Sequence, residues 1–370
     1  MKKKIKYSLL LLLLVVTTGC TTYLKNSDGK PVINSTTGQN LAENILCRPT
    51  DDETIKLYED NDYDISKLPY CVCKSKKVIE KVKVEEKKEE QENNDNKKEN
   101  KVKENSKKKE ETTDNKEEEQ EPIYEEVEKD CEEFTITSGK YEGLWTSIFV
   151  KPLAWVILLF GKITTSFGLG LIITSVLIRL IAYPLTKKST VQAENMKKIQ
   201  PELQRIEKKY ANKDQKDREV MMQKSQEMMA LYKKHNVSPM AGCLPALLQL
   251  PLFIAFLDAI NRVPAIFEEK FLLFHLGTTP KIGISSGNWW YIVLTLLVAL
   301  TTFYSLNKAS NNAQNGNDNE MAKQTKMMTN VFTIMIIVMS FFMSSALNIY
   351  WIVSNLFTLL QNYIVKRSMN

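Results

Sequence analysis

The sequence predicts an all-α polytopic membrane protein with five transmembrane helices, a cytoplasmic two-helix hairpin, an outer interfacial helix and a largely disordered exported N-terminal extension. Three observations support this fold class. Apolar runs long enough to cross a bilayer recur after residue 144, Lys and Arg concentrate between two of them, and a Lys/Glu/Asn-rich stretch precedes them. The mean hydropathy of −0.27 is the average of these unlike parts. Such a division excludes an ordinary soluble enzyme.

The N-terminus has the pattern of a lipoprotein signal peptide over residues 1–19. Basic residues (Lys2–Lys4) are followed by the apolar run Leu9–Val16 and then by Gly19-Cys20. A charged region, a short apolar region and a small-residue cleavage site are typical of secretory signals. Cys20 would then be the lipidated first residue of the mature chain. The alternative is an uncleaved anchor helix, and both interpretations place the following residues outside the cytoplasm.

A small exported segment that contains cysteines is predicted for residues 20–73. Cys47, Cys71, Cys73 and Cys131 permit three disulfide connectivities, and the sequence does not choose among them. A metal site with four cysteine ligands is less favoured, because Cys71 and Cys73 lack the usual C-x2-C spacing. Disulfides or free thiols are therefore the preferred interpretation.

Residues 74–133 are predicted to form a mixed-charge disordered tether. Their apolar content is too low to compensate for the conformational entropy lost on folding. Binding of nucleic acid or acidic lipid is the alternative role. The near balance of Lys and Glu favours a solvated tether, so no nucleic-acid binding is predicted.

Five apolar runs in the core, residues 167–370, are predicted to cross the membrane. Each run approaches the roughly 20 residues that cross a ~30 Å hydrocarbon layer. The runs are Phe167–Leu185, Cys243–Ile260, Asn288–Leu306, Met327–Met343 and Ala346–Ile364.

A sixth apolar run, Leu144–Ile163, lies in the predicted outer interfacial region 134–166. If this run does not cross the membrane, segment 187–241, which contains 13 Lys and Arg residues, is cytoplasmic. The outer loop 261–287 then contains three Lys and Arg residues. This distribution follows the positive-inside rule, whereas a sixth span would invert it. Lys151 and Lys162 are eleven residues apart and fall on one helical face, as an interfacial helix requires. The N-terminus is then outside and the C-terminus inside.

The cytoplasmic segment 187–241 is predicted to be a helical hairpin. Apolar residues recur at helical spacing in two stripes, with Ala211–Asp214 breaking the pattern between them. The first stripe is Met196, Ile199, Leu203, Ile206 and Tyr210; the second is Met222, Ser225, Met229 and Tyr232. In one interpretation the methionines belong to the core of the helix pair. In the other, the additional methionines Met221, Met228 and Met240 offer an adaptable apolar surface to partners.

Arg179 is a candidate functional residue because it lies inside the first predicted span. An intramembrane Arg costs at least ~2.5 kcal/mol on insertion scales and therefore faces a cavity or a partner, unless it snorkels to the headgroups. Gln249 lies on a helix of opposite direction at nearly the same depth, ~9 Å from the cytoplasmic end. A wet groove open to the cytoplasm would solvate both side chains. No acidic residue or His lies near that depth, as a transporter or proton relay would require.

Sequence marks of catalysis are missing from this chain. It contains no Gly-rich phosphate loop, no H-E-x-x-H and no G-x-S-x-G, and only two histidines. The chain is therefore predicted not to be an enzyme and to have no metal site or cofactor.

Ordered motifs across the predicted spans resemble the YidC/Oxa family of membrane protein insertases over roughly residues 144–370. They include Ser175–Leu185, Met196–Leu203, Met229–Pro245, Leu248–Pro251 and Ile349–Asn355. The lipoprotein signal is similar to that of Gram-positive members. Departures from the family pattern are the Met339–Leu347 stretch and the large exported extension.

The resemblance implies a cofactor-free insertase and chaperone in the bacterial cell membrane. It takes hydrophobic segments of nascent membrane proteins from the cytoplasm into the lipid through a positively charged groove. The groove residues implied are Arg179, Gln249, Trp351 and Asn355. Implied partners are nascent membrane proteins, membrane lipid, the Sec translocon and the ribosome. The alternative from another class is a solute or ion transporter; a third is an exported binding module that the spans merely anchor.

Overall fold

The computed structural model describes residues 21–73, 75, 77–83, 124–213, 217–238, 244–312 and 320–369, and most of these residues are helical. The helices are α1 (Asp52–Glu59), α2 (Lys151–Thr164), α3 (Phe167–Lys198), α4 (Gln200–Ala211), α5 (Arg218–Lys234), α6 (Leu244–Arg262), α7 (Pro264–Phe267), α8 (Pro280–Ser285), α9 (Trp290–Asn312), α10 (Glu320–Ser340) and α11 (Ser345–Met369). The strands are β1 (Lys77–Lys83), β2 (Tyr124–Asp130), β3 (Lys270–Phe271) and β4 (Phe274–His275). Residues 73–131 form one compact unit, and the rest of the chain forms the other.

The segment from Thr21 to Val72, called the exported segment below after its predicted location, is folded, so the prediction of a largely disordered extension is wrong for this part. Its apolar side chains bury one another in a cluster with Phe267 of α7; the cluster consists of Leu24, Val32, Leu41, Ala42, Ile45, Tyr58 and Phe267. Asp51 caps α1 by accepting a hydrogen bond from the Thr54 amide. A disulfide joins Cys47 to Cys71 within the main apolar core. Folding is possible because the segment adds its few apolar residues to those of the core.

The predicted tether 74–133 has structure at both ends. Strands β1 and β2 pair antiparallel, and the second disulfide, Cys73–Cys131, closes their open end. The register places Lys77 opposite Asp130, a basic residue beside an acidic one at the end of the ribbon nearest the disulfide. The mixed charge of this segment therefore favours the pairing of strands β1 and β2. Residues 84–123 lie outside the described part of the chain. With the cysteines paired, the four-cysteine metal interpretation is excluded.

The exported segment contacts the core at the last turn of α6. Two buried charged residues lie there: Asp258 is 3% exposed and Arg262 is fully buried. Thr21 donates to Asp258 from both its amide (3.0 Å) and its hydroxyl (2.7 Å). Arg262 donates from Nε to the Asn44 carbonyl oxygen at 2.6 Å and forms an ion pair with Glu142. The partners of Asp258 and Arg262 thus come from the segments before and after the predicted tether.

Each of the five predicted spans coincides with a helix: α3, α6, α9, α10 and α11. Among the described residues, two helices are long and apolar enough to cross a membrane by length and composition, Thr146–Thr164 and Phe167–Met196, and shorter apolar helices cover Trp290–Leu306 and Thr329–Ser340. The first of these is the run that the charge distribution placed at the interface. The number of spans therefore stays a prediction.

Helix α2 follows a π-helical turn over Thr146–Val150 and packs against the first half of α3. At their closest approach, a Cβ on Gly170 would lie 2.6 Å from the Gly161 nitrogen and from the Ile157 carbonyl oxygen, so only glycine fits there. Both lysines of α2 bind residues that precede it. Lys151 Nζ donates to the Ser138 carbonyl oxygen at 2.5 Å, and Lys162 Nζ lies 2.6 Å from a Glu133 carboxylate oxygen.

Helices α4 and α5 form the pair predicted for the cytoplasmic segment, and α3 continues into its first residues. Their shared apolar cluster is Met196, Ile199, Leu203, Ile206, Met228, Leu231, Tyr232 and Val237. Four residues of the first predicted stripe lie in this cluster, and the fifth, Tyr210, is buried. The second is shifted, because Met222 and Met229 are half exposed while Met228 and Leu231 point into the pair. The apolar residues of α5 are spread around the helix, and the face that packs against α4 is the one next to the predicted face. Met240 lies outside the described residues.

Candidate functional site

The side chain of Arg179 joins three helices in the interior of the helical core. From α3, Arg179 Nε donates to the Ser354 hydroxyl on α11 at 3.2 Å, and its Nη2 donates to the Gln249 side-chain carbonyl on α6. Gln249 Nε2 in turn donates to the Tyr350 hydroxyl on α11 at 3.0 Å. Arg179 and Gln249 thus lie at the same depth, as their positions in opposed helices predict. We call Arg179, Gln249, Tyr350 and Ser354 the arginine cluster.

The arginine cluster leaves its positive charge without a counter-charge. Among the described residues, Arg179 forms no ion pair, and its partners Gln249 and Ser354 are neutral. Two of the five N–H groups of a guanidinium are occupied by these bonds. The side chain is partly exposed, whereas Tyr350 and Ser354 are 1% and 2% exposed. The guanidinium is therefore held in place by neutral partners, and these two bonds leave part of its N–H groups unused.

Trp351 and Asn355 do not join the arginine cluster. Trp351 Nε1 and Asn355 Nδ2 both donate to the Thr302 hydroxyl on α9, each at 3.0 Å. Positions 350 and 354 share one face of α11, and positions 351 and 355 share the next, about 100° away. The four predicted groove residues thus divide between two sites, Arg179 and Gln249 beside one face of α11 and Trp351 and Asn355 on the adjacent face.

Two residues of these sites, Tyr350 and Thr302, were not assigned from the sequence. Tyr350 and Ser354 have the i, i+4 spacing of one helical face, and this spacing is the signal that could have paired them. Thr302, 1% exposed, has no such signal, because Thr residues occur throughout α9. The predicted lipidation site Cys20 lies outside the described residues.

Two other polar residues of the predicted spans form hydrogen bonds within their own helix. The Ser175 hydroxyl donates to the Leu171 carbonyl oxygen at 2.6 Å, and the Thr333 hydroxyl donates to the Thr329 carbonyl oxygen at 2.8 Å. Such bonds within one helix turn are a common way to carry a hydroxyl in an apolar setting. Asn330 is exposed. These residues therefore do not extend the arginine cluster.

The α4–α5 pair contains a surface cavity and a group of hydrogen bonds around Glu227. A cavity of about 350 Å³ lies where α5 ends, beside α3, and its lining includes Gln192, Met229, Tyr232 and Lys233. Across the helix pair, Glu227 accepts from Lys209 Nζ (2.6 Å) and from the Tyr210 hydroxyl (2.9 Å). These two bonds lower the pKa of Glu227 below its ordinary value and keep it ionised.

Comparison with known proteins gives one consistent family. Residues 159–370 match the family model described as 60Kd inner membrane protein. The chain is 37% identical over 231 residues to "Membrane protein insertase YidC" of Oceanobacillus iheyensis, which covers 62% of this chain and 86% of the relative. It is also 37% identical over 225 residues to "Membrane protein insertase MisCA" of Bacillus subtilis, covering 60% of this chain and 79% of that protein.

Among solved structures, the chain is similar to one titled "Active YidC insertase crystal structure with the first transmembrane domain resolved". The two are 26% identical, with a TM-score of 0.42, and the match covers 60% of this chain and 46% of the other.

Proposed function

Because the chain belongs to the YidC/Oxa family of membrane protein insertases, we propose that it inserts hydrophobic segments of nascent proteins by receiving their polar flanks at the arginine cluster. Insertases of this kind are membrane chaperones and not catalytic enzymes. The arginine cluster has what such a receiving site requires: a positive charge held at a fixed depth by neutral partners.

The proposed mechanism is solvation and electrostatics. A polar or acidic flank that enters lipid alone loses its hydration, which costs several kcal/mol or more for a charge. Arg179 and the hydroxyl and amide groups around it replace part of that hydration about a third of the way across the membrane from the cytoplasmic side. The attached apolar segment then leaves between helices into the lipid, driven by the burial of its apolar surface. No covalent step is involved.

A photo-crosslinking amino acid tests whether the arginine cluster receives nascent chains. Placed at position 354, beside Arg179, it should crosslink to a ribosome-stalled client segment with an acidic flank. The matched control is position 303 on α9, where the native Phe303 side chain is 52% exposed. Crosslinks at 303 that equal those at 354 would argue against a defined receiving site and in favour of unspecific contact with the helix surface.

We also propose a multi-pass protein with five spans, an exported N-terminus lipid-anchored through Cys20, and a cytoplasmic C-terminus. Both lysines of α2 contact residues 133–140, which supports an α2 that lies on the outer side together with the exported segment. The Lys- and Arg-rich segment 187–241 supports a cytoplasmic α4–α5 pair. Nascent membrane proteins are the proposed substrates, and the Sec translocon and the ribosome stay proposed partners.

This topology predicts opposite accessibility for two introduced cysteines. In intact cells, an impermeant thiol reagent should leave a cysteine at position 224 in α5 unlabelled and should label one at position 285 in α8. The reverse pattern would contradict the five-span topology. In the same preparation, the mass of the N-terminal peptide reports whether Cys20 carries a lipid; an unmodified, uncleaved N-terminus would favour the anchor-helix alternative.

A further inference from the structure

A tight β-hairpin between α7 and α8 has an unusual turn. Strands β3 and β4 pair Phe271 with Phe274, so Leu272 and Leu273 are the two turn residues. Leu272 has a φ of 54°, in the left-handed region. The other non-glycine residues of positive φ in the described parts of the chain are Asp62, Thr165 and Asn236. Leu272 is the one large apolar side chain in this set, at a position where Gly or Asn is preferred.

The two leucines are also exposed in a way that folding does not explain. Leu272 is 75% exposed and Leu273 47%, while their neighbours Phe271 and Phe274 pack against the apolar core. A strained backbone that displays two apolar side chains suggests a binding role for the tip, because neither feature favours the folded chain on its own.

The base of the hairpin is attached to the start of α3. Glu269 accepts hydrogen bonds from the Ser166 hydroxyl (2.7 Å), the Gly168 amide (3.2 Å) and the Phe167 amide, and so caps the first turn. A Cβ on Gly168 would lie 2.3 Å from the Phe271 ring, so glycine is required for this contact. The hairpin and the N-terminal end of α3 therefore move together.

The other side of the hairpin is attached to the start of α9. The Tyr291 hydroxyl accepts from the His275 amide at 2.9 Å, and the Phe274 and Tyr291 rings form an edge-to-face pair. Immediately before Tyr291, the rings of Trp289 and Trp290 are stacked and exposed by 58% and 39%. Exposed Trp at the end of a spanning helix is typical of the membrane–water interface. The hairpin thus lies at the level of that interface.

We propose that the β3–β4 hairpin binds the hydrocarbon of the outer leaflet through Leu272 and Leu273 and thereby fixes the depth of α3, and with it of Arg179. The proposal rests on the proposed topology, which places both helix starts on the outer side. Lipid is the occupant because the hairpin is attached both to the start of α3 and to Tyr291, the residue directly after the exposed Trp289–Trp290 pair, at the ends of two predicted spans. Arg179 lies twelve residues after Phe167, so a shift of the hairpin is carried about 18 Å along a continuous helix to the arginine cluster.

A fluorescent amino acid at position 272, in purified protein in phospholipid vesicles, tests the lipid contact. Its emission should shift to the blue and be quenched by lipids brominated on the acyl chain, and not by iodide in the buffer. The control is position 29, where Gly29 occupies the left-handed position of a turn in the exported segment with open space around it. This fluorophore should be quenched by iodide alone.

The remaining outcomes contradict the proposal. Iodide quenching at 272 equal to that at 29 would mean a solvent-exposed tip. Blue-shifted emission without quenching by brominated lipid would mean that a second copy or another protein covers it. If the fluorophore at 29 is shielded from iodide added outside right-side-out vesicles, the topology is wrong, and that result is distinguishable from failure at the hairpin alone.

Asn substitutions separate lipid binding from folding. Asn adopts left-handed backbone readily, so Leu272→Asn combined with Leu273→Asn should leave the Tm in detergent unchanged or higher. In vesicles, the same variant should insert clients about threefold more slowly or worse, because the apolar anchor of α3 is lost. Leu272→Met combined with Leu273→Met, which keeps both side chains apolar, should insert clients faster than the double Asn variant. Insertion by the double Asn variant at the wild-type rate would overturn the role in setting the depth of α3.

Discussion

Replacing Arg179 with Ala is expected to reduce the insertion of clients with acidic translocated flanks about tenfold or more and to leave clients with neutral flanks near the wild-type level. Arg179 has no ion-pair partner among the described residues, so its charge is available to the client. At an effective dielectric constant of about 20, opposite unit charges about 7 Å apart attract by roughly 2 kcal/mol, more than the ~1.4 kcal/mol of a tenfold effect. Protease protection of an acidic and a neutral client in vesicles measures both rates.

Arg179→Lys separates the insertase from the transporter interpretation. A Lys ammonium supplies the same charge without the planar donor geometry, so a site that works through its electric field should keep most activity. A transporter that clamps one anionic solute with both guanidinium nitrogens should lose function in this variant as well. Equal insertion of the acidic and the neutral client by the wild type and by Arg179→Ala would refute the electrostatic role of this residue.

Replacing Glu142 with Ala is expected to destabilise the folded protein by about 3 kcal/mol, the lower end of the range for breaking a buried ion pair. Arg262 is fully buried, and the variant leaves its Nη2 without the carboxylate. The exported segment should then detach more readily from α6, since Asn44 bonds the same guanidinium. The apparent unfolding midpoint in detergent and the rate of proteolysis between residues 21 and 72 measure the two effects.

Two controls identify burial of the charge as the cause. Asp64 pairs with Lys67 at 2.7 Å, but their side chains are 48% and 83% exposed, so Asp64→Ala should change stability by less than about 1 kcal/mol. Combining Glu142→Leu with Arg262→Met removes both charges and should recover most of the loss. If Glu142→Ala and Asp64→Ala lower the midpoint equally, the pair with Arg262 does not hold the exported segment in place.

The amino-acid sequence by itself determined the helical fold, the family and the common depth of Arg179 and Gln249. Apolar runs and the Lys/Arg distribution are properties of single segments, and each predicted span is a helix in the structure. Arg179 and Gln249 were matched because the rise per residue fixes the depth of each in its helix. Their hydrogen bond confirms this match.

Tertiary structure decided what depends on rotation about helix axes and on contacts between distant segments. It placed Tyr350 and Ser354 against Arg179, and Trp351 and Asn355 against Thr302. It paired Cys47 with Cys71 and Cys73 with Cys131, and it folded residues 21–72 by packing their apolar side chains together with Phe267 of α7. Periodicity gives the faces of one helix, but the face that meets a neighbour is chosen by the combined packing of all the helices.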